Sequence, residues 1–136
     1  MAEIPLPAIE LSWAESVNDL IGKPYRLGAN GPDAYDCWSL AAEVARRRGV
    51  NPPGFEVGGL NLDAIRAMID GSRHNLGVEV DTPQDGDVLL SLRLGHIGTL
   101  LNGMVLHTHR KAGVVFERVE SFRLKYKDAA AYRWSL

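Results

Sequence analysis

His96-Ile97-Gly98-Thr99-Leu100-Leu101-Asn102-Gly103-Met104-Val105-Leu106-His107-Thr108-His109 is the stretch that decides the fold. Two apolar runs flank Asn-Gly, the pair that suits the two positive-φ positions of a type I′ turn, so the segment reads as an antiparallel hairpin. With that turn Leu101 faces Met104, and counting outward pairs Leu100 with Val105, Gly98 with His107 and His96 with His109. Alternation then puts His96, Gly98, Leu100, Val105, His107 and His109 on one face. The side-chain roots of His96 and His109 are expected about 5 Å apart, and those of His96 and His107 roughly 7–8 Å apart. Three of the four histidines are thus expected to converge on one patch, with Gly98 leaving room for an imidazole or a substrate over the strand. His74 falls in a polar loop and reads as a surface residue.

The strand pattern continues outward from the hairpin. Gly86-Asp87-Val88-Leu89-Leu90 is a short apolar run after a turn at Pro83 to Asp85. Gly113 to Val119 alternates, and Ala131 to Leu136 has the composition of a last strand. The first half of the chain has the helical period instead. Ser12-Trp13-Ala14-Glu15 has the form of a capping box, followed by Trp13, Val17, Leu20 and Ile21 on one helical face, with an end near Gly22-Lys23-Pro24. Tyr25 to Tyr35 has turn chemistry throughout. From Cys37 the apolar positions Cys37, Leu40, Ala41, Val44 and Ala45 form a helix stripe stopped by Gly49 and Pro52-Pro53. Val50 to Gly59 is a Gly- and Pro-rich loop, and Leu62, Ile65, Met68 and Ile69 mark a short third helix closed by Gly71. Helices first and an antiparallel sheet after is an α+β arrangement. With 136 residues, 46% of them hydrophobic, and neither repeats nor a long linker, the expectation is a single domain over residues 1–136.

Charge narrows the partners. A net charge of −2 gives no reason to expect nucleic acid, and Arg46-Arg47-Arg48 is too short for a nucleic-acid stripe and reads as a solvated helix end. Met1 to Pro7 lacks the basic and apolar regions of a signal peptide, and no segment reaches the ~20 apolar residues of a membrane span. The chain is therefore expected to start as a soluble intracellular protein without membrane insertion.

The only cysteine, Cys37, cannot belong to a disulfide framework; it is either a small core thiol or a nucleophile. Its position in the first turn of a helix, with Asp36 as N-cap, is one where free amides and the helix dipole lower a thiol pKa, and a nearby imidazolium lowers it further. The Asp36 carboxylate slightly opposes a thiolate. A thiol and an imidazole together form an acyl-transfer centre when a third polar group orients the histidine, and the Cys37 amide is suited to hold an oxyanion.

Five short segments occur in order: Gly22-Lys23-Pro24-Tyr25-Arg26-Leu27-Gly28, Asp36-Cys37-Trp38-Ser39-Leu40, Gly86-Asp87-Val88-Leu89-Leu90, Gly95-His96-Ile97-Gly98 and Val105-Leu106-His107-Thr108. In order and spacing they resemble the NlpC family of papain-like cell-wall cysteine peptidases, over about Ser12 to Trp134. The resemblance implies a compact papain-like fold with a Cys-His-His triad: Cys37 as nucleophile, His96 as general base and His107 as the residue that orients it. Tyr25 matches a tyrosine close to the nucleophile, so Tyr25, Asp36, Trp38 and His109 form the expected substrate and oxyanion neighbourhood. His109, opposite His96 in the pairing count, has no counterpart in the family pattern; it is kept as the alternative to His107 as the orienting residue, or else as a residue behind the triad or against the substrate.

The resemblance implies hydrolysis of an amide bond in peptidoglycan stem peptides, most often between D-glutamate and a diamino acid, with no metal or organic cofactor. Asp-Cys-Trp-Ser in place of the usual Asp-Cys-Ser-Gly is similar to the phage-tail and prophage branch. That implies tail-tip proteins as partners and delivery to the wall by the particle. Three other readings compete: a catalytically silent tail-assembly module of the same fold, a zinc hydrolase using the three hairpin histidines, and an antibacterial amidase injected into a competitor.

Overall fold

The computed structural model describes residues 16–50 and 77–134. The Asn102-Gly103 turn is built as expected, with φ of 58° and 77° at its two central residues, and it fixes the pairing Leu101–Met104, Leu100–Val105 and Thr99–Leu106. Around it the described chain forms α1 (Cys37–Arg47), β1 (Gly77–Val80), β2 (Val88–Ser91), β3 (His96–Leu101), β4 (Met104–His109), β5 (Gly113–Arg118), α2 (Val119–Lys125) and β6 (Ala130–Trp134). The strands make one six-stranded sheet in the order β1-β6-β2-β3-β4-β5, antiparallel throughout. The α+β expectation of helices packed on an antiparallel sheet holds.

Both faces of the sheet are covered, which explains why Val88-Leu89-Leu90 reads as a continuous apolar run rather than an alternating one. Val88, Leu90 and Ile97 pack against Cys37, Trp38, Ala41 and Ala45 of α1, and Leu101, Leu106 and Val114 continue that layer against Leu40 and Val44. On the other face Leu89, Leu100 and Val105 meet Phe122 of α2. Phe122 is fully buried, a contribution of roughly 1.5–3 kcal/mol for a side chain of this size. No helix among the described residues is long and apolar enough to cross a membrane.

Several elements differ from the sequence expectations. Where the first helix was expected to end, the described residues form a 3-10 turn, Asn18–Leu20, without a side-chain cap; the Ser12 capping box lies outside the described residues. So do the Leu62–Gly71 helix, His74 and most of the Val50–Gly59 loop. β1 and α2 were not expected. The final strand starts at Ala130 and is described to Trp134. Arg47, rather than being merely solvated, ties the end of α1 to the 3-10 turn, bonding both Asp19 carboxylate oxygens at 2.6 and 2.9 Å and Glu43 at 2.9 Å.

Candidate active site

Asp36 caps α1 as expected: its Oδ1 accepts from the Ser39 amide at 2.7 Å, and the Ser39 hydroxyl accepts from the Asp36 amide at 3.0 Å. Such a cap is worth about 1 kcal/mol and fixes where the helix begins. The same hydroxyl donates to the Ala29 carbonyl at 2.8 Å, so the Tyr25–Tyr35 loop is anchored to the helix start. At its other end Gly22 and Lys23 bond to the start of β5, the Gly22 amide to the Val114 carbonyl and the Val114 amide to the Lys23 carbonyl, at 2.8 and 2.9 Å. Gly113 permits that approach: it has φ of 79°, and a Cβ there would lie 2.2 Å from the Lys23 carbonyl oxygen. Tyr25, two residues beyond Lys23, lines a cleft of about 260 Å³.

Cys37 lines this cleft with Tyr25. Leu94, Gly95 and His96 enter from the start of β3, Thr108 and Arg110 from the end of β4, and Tyr126 from beyond α2. The thiol and the imidazole reach it from opposite faces of the sheet: Cys37 packs with Ile97 on the α1 side, whereas His96 stacks on Tyr126, centroids 4.5 Å apart, on the α2 side. Both line the cleft where β3 begins, and the Cys37 thiol donates to the Gly95 carbonyl at 3.7 Å.

Behind His96 lies a chain of side chains. His96 Nε2 is 2.9 Å from His107 Nδ1, His107 Nε2 is 2.8 Å from Glu117 Oε1, and Glu117 Oε2 is 2.7 Å from Lys125 Nζ. Gly98 makes room for this array, but for the protein's own side chains rather than for substrate: a Cβ there would lie 2.5 Å from Val105 Cγ1 and 3.1 Å from His107 Cβ. Phe122 meets the His107 ring edge-on at 5.0 Å.

Burial sets the charge states. The Cys37 thiol is only 4% exposed and is pushed up to about 12, by burial first and the Asp36 carboxylate second, against the Ile97, Trp38 and Cys37 amides. The expected lowering by the helix start is therefore outweighed by loss of water. His96 is pushed down to about 3, by burial and then by His107 and Lys125. His107 is also lowered by burial, although the hydrogen bond to Glu117 works against it. Each of these shifts favours the neutral thiol and the neutral imidazoles. For Glu117 burial raises the carboxyl, but hydrogen bonds from Lys125 and His107 outweigh it and hold the group below the usual carboxylate range.

Two expected members of the neighbourhood lie elsewhere. Trp38 is buried in the core, its ring edge-on to Trp134 at 6.3 Å, because position 38 points under the helix while position 37 points to the cleft. His109 is exposed and does not line the cleft; its Nδ1 accepts from the Lys111 and Ala112 amides at 3.1 and 3.0 Å, closing the β4–β5 turn. Two histidines converge, then, and not three. Among the described residues no group of three or more His, Cys, Asp or Glu is arranged to hold a metal ion.

Glu117, Lys125, Tyr126 and Arg110 were not singled out from the sequence. Glu117 was within reach of the pairing count: the β4–β5 register sets His109 opposite Gly113, His107 opposite Val115 and Val105 opposite Glu117, so Glu117 shares the face of His107.

The NlpC/P60 family model matches residues 22–133, which contain all of these groups. Among solved structures, NlpC2 from Trichomonas vaginalis superposes with a TM-score of 0.62 at 17% identity, over 92% of this chain and 46% of that one. The NlpC/p60 domain of the peptidoglycan hydrolase SagA gives 0.58 at 22% identity, over 95% and 97%. A lipoprotein-like NLP/P60 protein of Staphylococcus aureus gives 0.59 at 18% identity, over 99% and 44%. The chain thus spans about half the length of the Trichomonas and Staphylococcus proteins and nearly all of the SagA domain. At these identities the likeness is one of fold. No curated protein sequence matches the chain.

Proposed function

Because the chain belongs to the NlpC/P60 family, whose members are cysteine peptidases and amidases, we propose that it hydrolyses an amide bond in the stem peptide of peptidoglycan. The observation that carries this reading is that Cys37 and His96 line one cleft while His107 Nδ1 lies 2.9 Å from His96 Nε2. Cys37 is the nucleophile, His96 the general base and His107 its orienting partner.

Burial disfavours both the thiolate and the imidazolium, which favours proton transfer that accompanies attack over a preformed ion pair. The thiol proton passes to His96 Nδ1 as sulfur bonds to the carbonyl carbon. The oxyanion is held by the Cys37 amide, with the Tyr25 hydroxyl beside the cleft. Collapse breaks the C–N bond, and His96 returns its proton to the leaving amine. His96 then takes a proton from water, whose oxygen adds to the thioester; the C–S bond breaks, the thiol regains the proton and the new carboxylic acid departs.

The bond between D-glutamate and a diamino acid is the one the resemblance favours. Trp38 after Cys37 supports delivery on a phage tail, with tail-tip proteins as partners and the cell wall as the place of action. Purified peptidoglycan incubated with the protein should release fragments whose masses identify the cleaved bond. Release should resist a chelator and vanish on thiol alkylation. Release that a chelator stops and alkylation does not would replace this reading with a metal hydrolase, and no release from any stem peptide would leave the silent tail module.

A further inference from the structure

Glu117 and Lys125 have no part in the reaction just described, yet they close a continuous line of hydrogen bonds ending at the base. We propose that Glu117 is a positioning residue that, acting through His107, fixes the proton of His96 on Nε2 and leaves Nδ1 bare to receive the thiol proton. This rests on the reading of His96 as general base.

The inference follows from donor and acceptor inventory. An ionised carboxylate accepts hydrogen bonds and donates none. Lys125, 2.7 Å from Glu117 Oε2, keeps the carboxylate ionised, so His107 must donate to it from Nε2 across 2.8 Å. The His107 side chain is 1% exposed, and a neutral imidazole protonated on Nε2 offers only a lone pair at Nδ1. That lone pair faces His96 Nε2 at 2.9 Å, so His96 donates from Nε2. Being neutral as well, His96 has its own lone pair at Nδ1, which is the form a general base needs. One charge, two residues removed, therefore selects the competent tautomer out of two, as the carboxylate of a Ser-His-Asp triad does directly. The Tyr126 ring stacked on His96, 17° from parallel, and the Phe122 edge on His107 hold the two imidazoles in line.

Glu117→Gln is nearly isosteric and reverses the logic. Lys125 draws the amide oxygen, the amide N–H turns to His107, and both histidines are expected to move their protons to Nδ1. Ring nitrogen shifts of histidine-labelled protein report this directly, whatever the activity. The wild type should show His96 and His107 protonated on Nε2, and Glu117→Gln should show both protonated on Nδ1. On a stem-peptide substrate kcat should fall about a hundredfold or more, against about ten-thousandfold for the analogous change in a serine triad, with KM within about threefold. Glu117→Asp should keep the wild-type tautomers and recover most of the rate. Wild-type rings protonated otherwise, or unchanged tautomers in Glu117→Gln, would overturn the proposal, as would a kcat within twofold of wild type once the tautomers have switched. Wild-type protein that cleaves no stem peptide while its rings behave as stated would remove the peptidase reading and leave the relay standing.

Discussion

His96 and His107 meet edge to edge, with 2.9 Å between Nε2 of the first and Nδ1 of the second and their rings 82° apart. This contact separates His107 from His109, two histidines on the same strand face, the first bonded to His96 and the second to the Lys111 and Ala112 amides. Under the proposed mechanism His107→Ala should reduce kcat at least a hundredfold, since it removes the group bonded to His96 Nε2. His109→Ala should leave kcat within about threefold and cost stability of about 1 kcal/mol through the lost turn bonds. Steady-state kinetics of the two variants on one stem peptide check this, and equal losses would contradict it.

Gly98 makes the contact possible. Gly98→Ala places a Cβ 2.5 Å from Val105 Cγ1 and 3.1 Å from His107 Cβ. Overpacking of this kind costs about 1–3 kcal/mol. Urea unfolding should register that loss, and kcat should fall because His107 is displaced from His96. A variant as stable and active as the wild type would show that the strands relax freely there.

The neutral resting pair has a chemical signature. A thiolate–imidazolium pair is alkylated at a rate that levels off at low pH, whereas the Cys37 thiol, pushed up to about 12, should react with iodoacetamide more slowly than a free thiol at pH 7. Its rate should keep climbing through pH 9. A plateau between pH 5 and 7 would contradict the neutral pair.

Stability should depend on pH through the same groups. Burial lowers His96 and His107 below their unfolded values, so the unfolded chain binds more protons as pH drops beneath about 6.5. Stability is therefore fully present above that pH and is lost on acidification, by about 1.4 kcal/mol per pH unit for each proton. The raised Cys37 thiol acts in the opposite direction, with stability lost as pH rises from about 8.5 towards 12. Urea midpoints between pH 6.5 and 5, above most carboxylate titration, should decline in the wild type and decline less in His96→Gln. A midpoint constant across that window would contradict the buried neutral histidines.

How much of this was legible in the sequence differs from element to element. The hairpin and the Cys37 helix are specified locally, by Asn102-Gly103 and by the Asp36–Ser39 capping box, and both stand where the residues put them. α2 was missed because it follows β5 without a breaker, although Val119, Phe122 and Tyr126 keep helical spacing. β1 exists through its pairing with β6, Gly77 opposite Trp134, and nothing in Gly77-Val78-Glu79-Val80 announces so distant a partner. For His109 alternation gave the strand face but not the direction of the ring, which the turn amides decided. The thiol was misjudged for a related reason: a helix start is local and visible, whereas the burial that outweighs it comes from the sheet.

Cleavage of one defined stem peptide by wild type and Cys37→Ala, followed by mass spectrometry of the products, decides whether Cys37 is the nucleophile. The wild type should yield two fragments whose masses sum to the peptide plus one water, and the folded Cys37→Ala protein should yield none. Cleavage by Cys37→Ala at the wild-type rate would contradict a cysteine nucleophile.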